Sequence, residues 1–500
     1  MHDLLSPSME YNTLGAVDLG SNSFHLAIAR VAGDQLYPLD SLRETVRLGG
    51  GLTAERELDA ATQERALAAL KRFAERLSGM PREAVRVVGT NALRVARNAA
   101  PFLARAQATL GFPIEVIPGR EEARLIYLGV VHSLPMSPHN RLVVDIGGGS
   151  TECIIGNKLK PKAMESLYMG CVSYTTRFFP EGRIDKRGLK AAQFAAREQV
   201  QTIAARFEKA GWKEAVGSSG TARSIADVLV KNGLAARGIT ASGLEWLREQ
   251  LLAAGELRRL ALPGLREDRI PVVAGGVAIM SGIFDELGLA EMTVAEGALR
   301  DGVLWDLLGR VHHRDIREVT IDQFAHRYHV DVSQAQRVGS AAQVLLKGLD
   351  EGGDLAEVAQ YLDWAARLHE VGVSIAQGAY HKHSAYILAN ADMPGFSRQE
   401  QGWLSNLVLA QRGKLAKMRA AFEDDPRLAA LAFCLRIAVI LGRGRRTLKP
   451  GGLAASRKSH GFRLEVDGRW LADHTLVALA LESERPQWES IGMPFELVEG

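Results

Sequence analysis

Two stretches of this 500-residue chain carry one design, and a chain that repeats a design folds as two related halves. Residues 15–30, "GAVDLGSNSFHLAIAR", lie over residues 141–156, "RLVVDIGGGSTECIIG". In that overlay Asp18-Leu19-Gly20-Ser21-Asn22-Ser23 matches Asp145-Ile146-Gly147-Gly148-Gly149-Ser150. Each stretch reads as an apolar strand, an Asp, a small-residue loop and a second strand, which is a hairpin with a bare tip. Such loops bring main-chain N–H groups close to an anion, most often phosphate. The dinucleotide fingerprint and the Walker A loop do not apply, because both lead from a strand into a helix and Walker A needs a Lys after its last Gly. The pair of hairpins predicts a cleft between two similar halves, with acids beside the amides: Asp18 in the first, Asp145 and Glu152 in the second. These acids are hard oxygen ligands that suit Mg²⁺, and the same aspartates are also compatible with plain turn hydrogen bonding.

The rest of the chain is consistent with a multidomain globular protein. Its 47% hydrophobic and 24% charged residues are ordinary, and 61 basic against 58 acidic residues leave a net charge of +3, too small for a nucleic-acid coat or a membrane-surface protein. Cys153, Cys171 and Cys434 lie in apolar settings without CxxC spacing and read as core residues of a reducing compartment. The first residues lack a signal-peptide pattern, and "LAALAFCLRIAVILG", taken as the longest apolar segment, is too short to span a bilayer, so a cytoplasmic protein without a membrane span is expected. Strands alternate with helices over 1–135 and again over 136–308, two α/β domains. From 309 to 443 the spacing is helical, and 444–500 reads as a small α+β unit with "FRLEVDG" and "TLVALALE" as strands.

In "VIPGREEARLIYLGVV" a helix is predicted over Glu121–Val131. Glu121 has Arg124 at i+3 as an ion-pair partner, whereas Glu122 has Leu125 and Ile126 at i+3 and i+4. Glu122 is therefore the less neutralised acid, and in a cleft its raised proton affinity would suit a general base acting on water. A helix-start carboxylate stabilised by the dipole is an equally good reading of the helix alone. Arg94, at the start of a helix in "VGTNALRVARN", could grip phosphate oxygens in a fork. "ARLHEVG" and "HKHSAYILAN" are similar to phosphohydrolase domains built on a His-Asp dyad, but the dyad position reads His369-Glu370, and His381 and His383 are placed in a loop-like stretch. A relic of shape without catalysis is expected there. "GRGRRTLKPGG" and "SRKSHGFR" gather Arg443, Arg445, Arg446, Lys449, Arg457, Lys458 and Arg463, a solvated face or a local hold on a long polyanion.

Taken together, the motifs resemble the exopolyphosphatase and guanosine pentaphosphate phosphatase family in its long form. The resemblance runs through "AVDLGSNSFHLAIARV", "VGTNALR", "IPGREEARLIYLGV", "VVDIGGGSTE", "LYMGCVSYTTRFFP", "GSSGTARS" and "GALRDGVL" in order. It implies an α/β fold of two duplicated actin-like domains (the acetate and sugar kinase, heat-shock 70 and actin superfold). A mainly helical His-Asp-phosphohydrolase-like domain and a small α+β C-terminal domain would follow. It implies Glu122 as general base, and Ser21, Asn22, Ser23, Arg94, Gly147, Gly148, Gly149, Ser150 and Thr151 as phosphate-binding groups. Asp145 and Glu152, with Asp18 beside them, become the Mg²⁺-side carboxylates, and a monovalent cation is left open. The activity expected first is processive removal of the terminal phosphate of inorganic polyphosphate by a homodimer, with Arg445 and Arg446 retaining the polymer. The alternative is removal of the 5′ phosphate of guanosine pentaphosphate. An ATP-dependent kinase, with "VVAGGVAIM" at the adenosine position, and a regulatory sensor rank below both.

Overall fold

The structure, a computed structural model, describes residues 11–312, 315–350, 353, 355–446, 452–458 and 460–499. By internal contacts it divides into a unit up to Ile316 and a unit from Arg317 onward.

The first unit contains two mixed sheets. One is formed by β1 (Thr13–Leu19), β2 (Ser23–Ala32), β3 (Gln35–Thr45), β4 (Val85–Gly89) and β5 (Ile114–Val116), in the order β3-β2-β1-β4-β5. The other is formed by β6 (Arg141–Ile146), β7 (Thr151–Asn157), β8 (Lys160–Leu167), β9 (Glu214–Ser218), β10 (Ile239–Thr240) and β11 (Glu291–Val294), in the order β10-β11-β9-β6-β7-β8. Stripped of β10, the second order repeats the first. The directions repeat as well: the first three strands of each half are antiparallel neighbours, and the next two continue parallel to the first. The central strands β1 and β6 are buried almost throughout, as strands covered on both faces must be. The duplication read from two short motifs therefore extends over two complete α/β layers of the actin-like type.

The halves are joined by the helices Gly119–His132, after β5, and Leu299–Val311, after β11. Glycines make their close approach possible: a Cβ on Gly129 would strike the Ala298 carbonyl, and one on Gly302 the Leu125 carbonyl. Their apolar faces, Ile126 and Val130 against Val303 and Leu307, share one core with Ala16 and Val88 of the first sheet and Val143 and Val216 of the second. Below this core runs a buried ion network. Arg86 reaches Asp306 at 2.7 Å and Glu115 at 2.9 Å, and Arg124 reaches Glu121 at 2.8 Å and also Asp306.

Among the described residues, one helical stretch, Glu267–Leu287, is long and apolar enough to cross a membrane, rather than the segment picked from sequence; 78% of its apolar window is buried in the core of the second half.

The second unit is mainly helical around a core that includes Trp364, Leu404 and Phe433. Its last part carries β12 (Ala454–Lys458), β13 (Gly461–Val466) and β14 (Phe495–Glu499), in the order β12-β13-β14. Phe462, Leu464, Trp488 and Phe495 of this tail lie in the same core as the preceding helices. "TLVALALE" is a helix, Thr475–Glu482, not a strand: its Leu and Ala residues are strong helix formers, and only Leu481 is fully buried. The stretch holding His381 and His383 is likewise a helix, Tyr380–Asn390, not a loop. Lys449 lies outside the described residues.

Candidate active site

The two hairpins meet at a cavity of about 440 Å³ between the halves of the first unit. Their tips have matching register, Leu19 opposite Phe24 and Ile146 opposite Thr151, which places Asp18 opposite His25 and Asp145 opposite Glu152. Gly20, Ser21, Asn22 and Ser23 line one side of the cavity and Gly147, Gly148, Gly149 and Ser150 the other. The tips touch: a Cβ on Gly148 would lie 2.9 Å from Ser21 Cβ and 3.1 Å from the Asn22 nitrogen, and one on Gly149 would strike Asn91 Oδ1. Ser21 Oγ in turn accepts the Ala92 N–H at 3.2 Å, which fixes the first tip to the helix Asn91–Val95.

The two glutamates at the start of the helix Gly119–His132 have opposite fates. Glu121 is paired with Arg124 at 2.8 Å, as its spacing predicts, and belongs to the ion network. Glu122 lines the cavity. It is not free of a partner, as the helix alone suggested, because Arg94 Nη1 donates to its Oε2 at 3.0 Å and to the Ile117 carbonyl at 2.9 Å. Burial raises the proton affinity of Glu122, Arg94 lowers it, and Asp145 adds a smaller upward push. Arg94 thus touches the candidate base, and is not itself among the cavity-lining residues.

Asp18, Asp145 and Glu152 complete a cluster of four carboxylates with Glu122. Burial is the largest cause of the upward shift of all three, and for Asp18 and Glu152 the repulsion of Glu122 and Asp145 adds to it. Asp145 is relieved by hydrogen bonds to Ser219 and Ser218, and Glu152 Oε1 accepts from Ser166 Oγ at 2.7 Å. Asp18 Oδ1 is buried with no partner. Such a cluster is stabilised by a cation. Among the described residues no three His, Cys, Asp or Glu groups converge on one point, so the fit to Mg²⁺ rests on the chemistry of the hard carboxylate oxygens and on the unpartnered Asp18 Oδ1, with one or two carboxylates as direct ligands and water and phosphate oxygens as the rest.

The cavity contains more than the sequence pattern gave away. A third feature is the junction where β9 ends at Ser218 and the helix Ser219–Lys231 begins, and Ser219, Gly220 and Thr221 of that first helical turn line the wall. Ser219 is held in the left-handed region (φ 64°), a strained conformation typical of functional sites. The Ser/Gly turn between strand and helix in "GSSGTARS" was the available signal, since helix N-termini bind phosphate. Arg43, Arg223, Arg266, Arg269 and Arg300 also line the cavity. They are single arginines in unremarkable local sequence, and only folding brings them together. Thr151, by contrast, is fully buried with its Oγ1 donated to the Met169 carbonyl at 2.6 Å, so its side chain is turned away from the cavity. Arg445 and Arg446 belong to the second unit, where Arg445 is bound by Asp331 and Glu370.

A duplicated actin-like frame closing amide loops, carboxylates and arginines around one cavity defines a phosphate-handling protein. Comparison with known proteins makes this specific. Residues 27–311 match the Ppx/GppA phosphatase family and residues 316–485 match Ppx/GppA phosphatase, domain III. The chain belongs to the Ppx/GppA phosphatase family. It is 37% identical over 487 residues to guanosine-5'-triphosphate,3'-diphosphate pyrophosphatase of Pseudoalteromonas translucida (strain TAC 125), covering 96% of this chain and 97% of that one. Among solved structures it is similar to an exopolyphosphatase from Cytophaga hutchinsonii ATCC 33406, with a TM-score of 0.54 and 28% identity over 60% of this chain and 98% of that one. An exopolyphosphatase-like protein gives the same TM-score at 26% identity, again over 60% of this chain and 98% of that one.

Proposed function

We propose that this phosphatase hydrolyses the terminal 5′ phosphoanhydride of guanosine pentaphosphate, with Glu122 as the general base. The observation that carries the choice of substrate is the 37% identity, over nearly both full lengths, to a protein named for that nucleotide. The basic tail that favoured a polymer is partly neutralised: Arg445 is held by Asp331 and Glu370, Lys458 lies 3.7 Å from Glu496, and Arg463 lies 2.9 Å from Glu465. Inorganic polyphosphate is the second reading, favoured by the likeness to an exopolyphosphatase over 60% of the chain.

The terminal phosphoryl is received by the amides of the two tips, with the cavity arginines offsetting the charge of the chain behind it. Glu122, poised by burial against the pull of Arg94, accepts a proton as water oxygen attacks the terminal phosphorus. The bridging P–O bond breaks, giving orthophosphate and the tetraphosphate. Asp145, Glu152 and Asp18 are the residues that would hold Mg²⁺, which when bound offsets negative charge on the phosphoryl oxygens. Positioning and electrostatics are most of what such a transfer requires.

The test is phosphate release, with Mg²⁺, from guanosine pentaphosphate and from long-chain polyphosphate side by side, for wild type and Glu122→Ala. Cleavage of the nucleotide that disappears in the variant is expected. A higher kcat/KM on polyphosphate overturns the substrate, and an active variant overturns the base.

A further inference from the structure

The region of the second unit that resembles a His-Asp dyad contains a cavity that this chemistry does not use. It measures about 150 Å³, room for about five water molecules at ~30 Å³ each. Two of the residues lining it carry buried acceptors without partners. His369, 1% exposed, has its Nδ1 at 2.7 Å from the Ala366 carbonyl. A carbonyl only accepts, so Nδ1 carries the proton and Nε2 is an acceptor, with nothing bonded to it. Burial lowers the proton affinity of this imidazole and so preserves that state. Gln411, 3% exposed, gives its Nε2–H to the His369 carbonyl at 2.8 Å, which leaves Oε1 without a partner. Glu370 adds a carboxylate, held by Arg445 at 2.8 Å and 3.0 Å, whose remaining lone pairs can accept further bonds. Arg412 and Arg443, both exposed, also line the cavity, and Val439 and Ile440 supply an apolar wall.

Buried acceptors left unmatched by the chain call for a donor from outside it, which water in the cavity supplies until a ligand displaces it. A bare anion would satisfy the arginines and meet only acceptors at His369, Gln411 and Glu370. A metal ion would find fewer than three converging His, Cys, Asp or Glu ligands among the described residues, and three guanidinium groups beside it. A nucleotide needs more room, since pockets for drug-sized ligands begin at about 300 Å³. We propose that the cavity binds a compact zwitterion of the α-amino-acid class. Its ammonium donates to His369 Nε2, Gln411 Oε1 and Glu370, and its carboxylate faces Arg412 and Arg443.

Calorimetric titration of the full chain with each proteinogenic L-amino acid tests this, with acetate, methylammonium and inorganic phosphate as comparison probes. At least one amino acid should bind saturably while acetate and methylammonium do not. Arg412→Glu and Arg443→Glu, both at exposed positions, should weaken that binding about tenfold or more, equivalent to about 1.4 kcal/mol, without changing the melting curve. Gln411→Leu, which removes the unpartnered amide oxygen, should weaken it as well. Absence of binding by every amino acid overturns the assignment. So does phosphate or acetate binding as strongly as any amino acid, or binding that is unchanged in both arginine variants. The arginine variants decide the matter even if Gln411→Leu does not fold.

Discussion

The two hairpins share backbone and register but not chemistry. Opposite Asp18 stands His25, whose pKa is brought down to about 3 by burial first and then by Arg300 and Arg43, so it is neutral in the working range. Opposite Asp145 stands Glu152, a carboxylate pushed well above its ordinary value. The first tip carries side chains, with Asn22 Nδ2 donating to Ser23 Oγ at 3.3 Å; the second is bare from Gly147 to Gly149. The bareness has a local cause, because Ser21 and Asn91 occupy the space that a side chain at Gly148 or Gly149 would need. A duplicated loop in a shared cleft cannot keep the same side chains twice. One copy fills the gap and the other makes room for it, which leaves the cavity with a side-chain face and an amide face.

The widest gap between the hairpins is expected at the paired positions opposite the aspartates. Glu152→Gln should lower kcat on the preferred substrate by about 10²–10³-fold, the range for loss of one preorganised electrostatic group, while His25→Gln should cost under about tenfold. Equal losses at the two positions would show that the asymmetry has no catalytic meaning. Next in size is the exchange of tip residues. Gly148→Ser forces a Cβ to within 2.9 Å of Ser21 and should destabilise the fold by about 1–3 kcal/mol, with activity falling in parallel. Ser21→Gly removes only the bond from the Ala92 N–H, about 1 kcal/mol. Combining the two should recover part of the loss, as expected for residues in contact. A double variant whose melting loss is the plain sum of the singles would refute loop–loop crowding.

A smaller difference separates the two aspartates. Asp18 is raised by burial, then by Glu122 and Asp145, whereas Asp145 is partly relieved by Ser219 and Ser218. A carboxyl raised on folding binds its proton more tightly in the folded state. Its contribution therefore favours the fold at low pH and is lost as pH rises from the ordinary carboxylate value through the raised one. In Mg²⁺-free buffer Asp18→Asn should melt higher than wild type at neutral pH, by about 1–2 °C for each kcal/mol recovered in a unit of this size, and Asp145→Asn should gain less. Melting scans across that pH range, with and without Mg²⁺, check both the order and the sign. A wild type and an Asp18→Asn variant with parallel pH profiles would remove the basis for this order.

The duplication was legible because a hairpin writes itself in contiguous residues: strand, Asp, small residues, strand. Glu121 and Glu122 were separable because helix spacing is also local, and the Glu121–Arg124 pair at 2.8 Å follows from i+3 geometry. The Glu122–Arg94 bond spans 28 positions and had no such signature. Nor did the approach of Arg43, Arg223, Arg269 and Arg300 to one cavity from four separate segments. The family resemblance implies Thr151 as a phosphate-binding group, but it opens β7, where a strand alternates its faces, and its hydroxyl turns to Met169. The tail segment Thr475–Glu482 is a helix where a strand is expected because a short run of six consecutive apolar residues suits either element, and periodicity alone does not separate them.

The smallest expected effect lies where the halves meet at their edges. Arg43 of β3 reaches Asp268 of the second half at 2.7 Å and lies 3.4 Å from Ser23 Oγ on the first tip. Asp268 is brought down to about 2, chiefly by hydrogen bonds from Arg266 and then by the charge of Arg43, so it stays ionised throughout the working range. The pair is partly exposed, 28% and 29%, so its worth is about 0.2–1 kcal/mol, and Arg43→Ala should hardly move the melting temperature. KM is the sensitive quantity, because the same arginine touches a phosphate-side loop and bridges the halves; a rise of about 1.4- to fivefold corresponds to that energy. Asp268→Asn separates the two roles, since it removes the charge across the cleft and leaves the contact with Ser23. A rise in KM shared by both variants means that the pair between the halves holds the cavity in its binding shape. A rise confined to Arg43→Ala means that Arg43 acts through the first tip alone, and the two hairpins are then set independently.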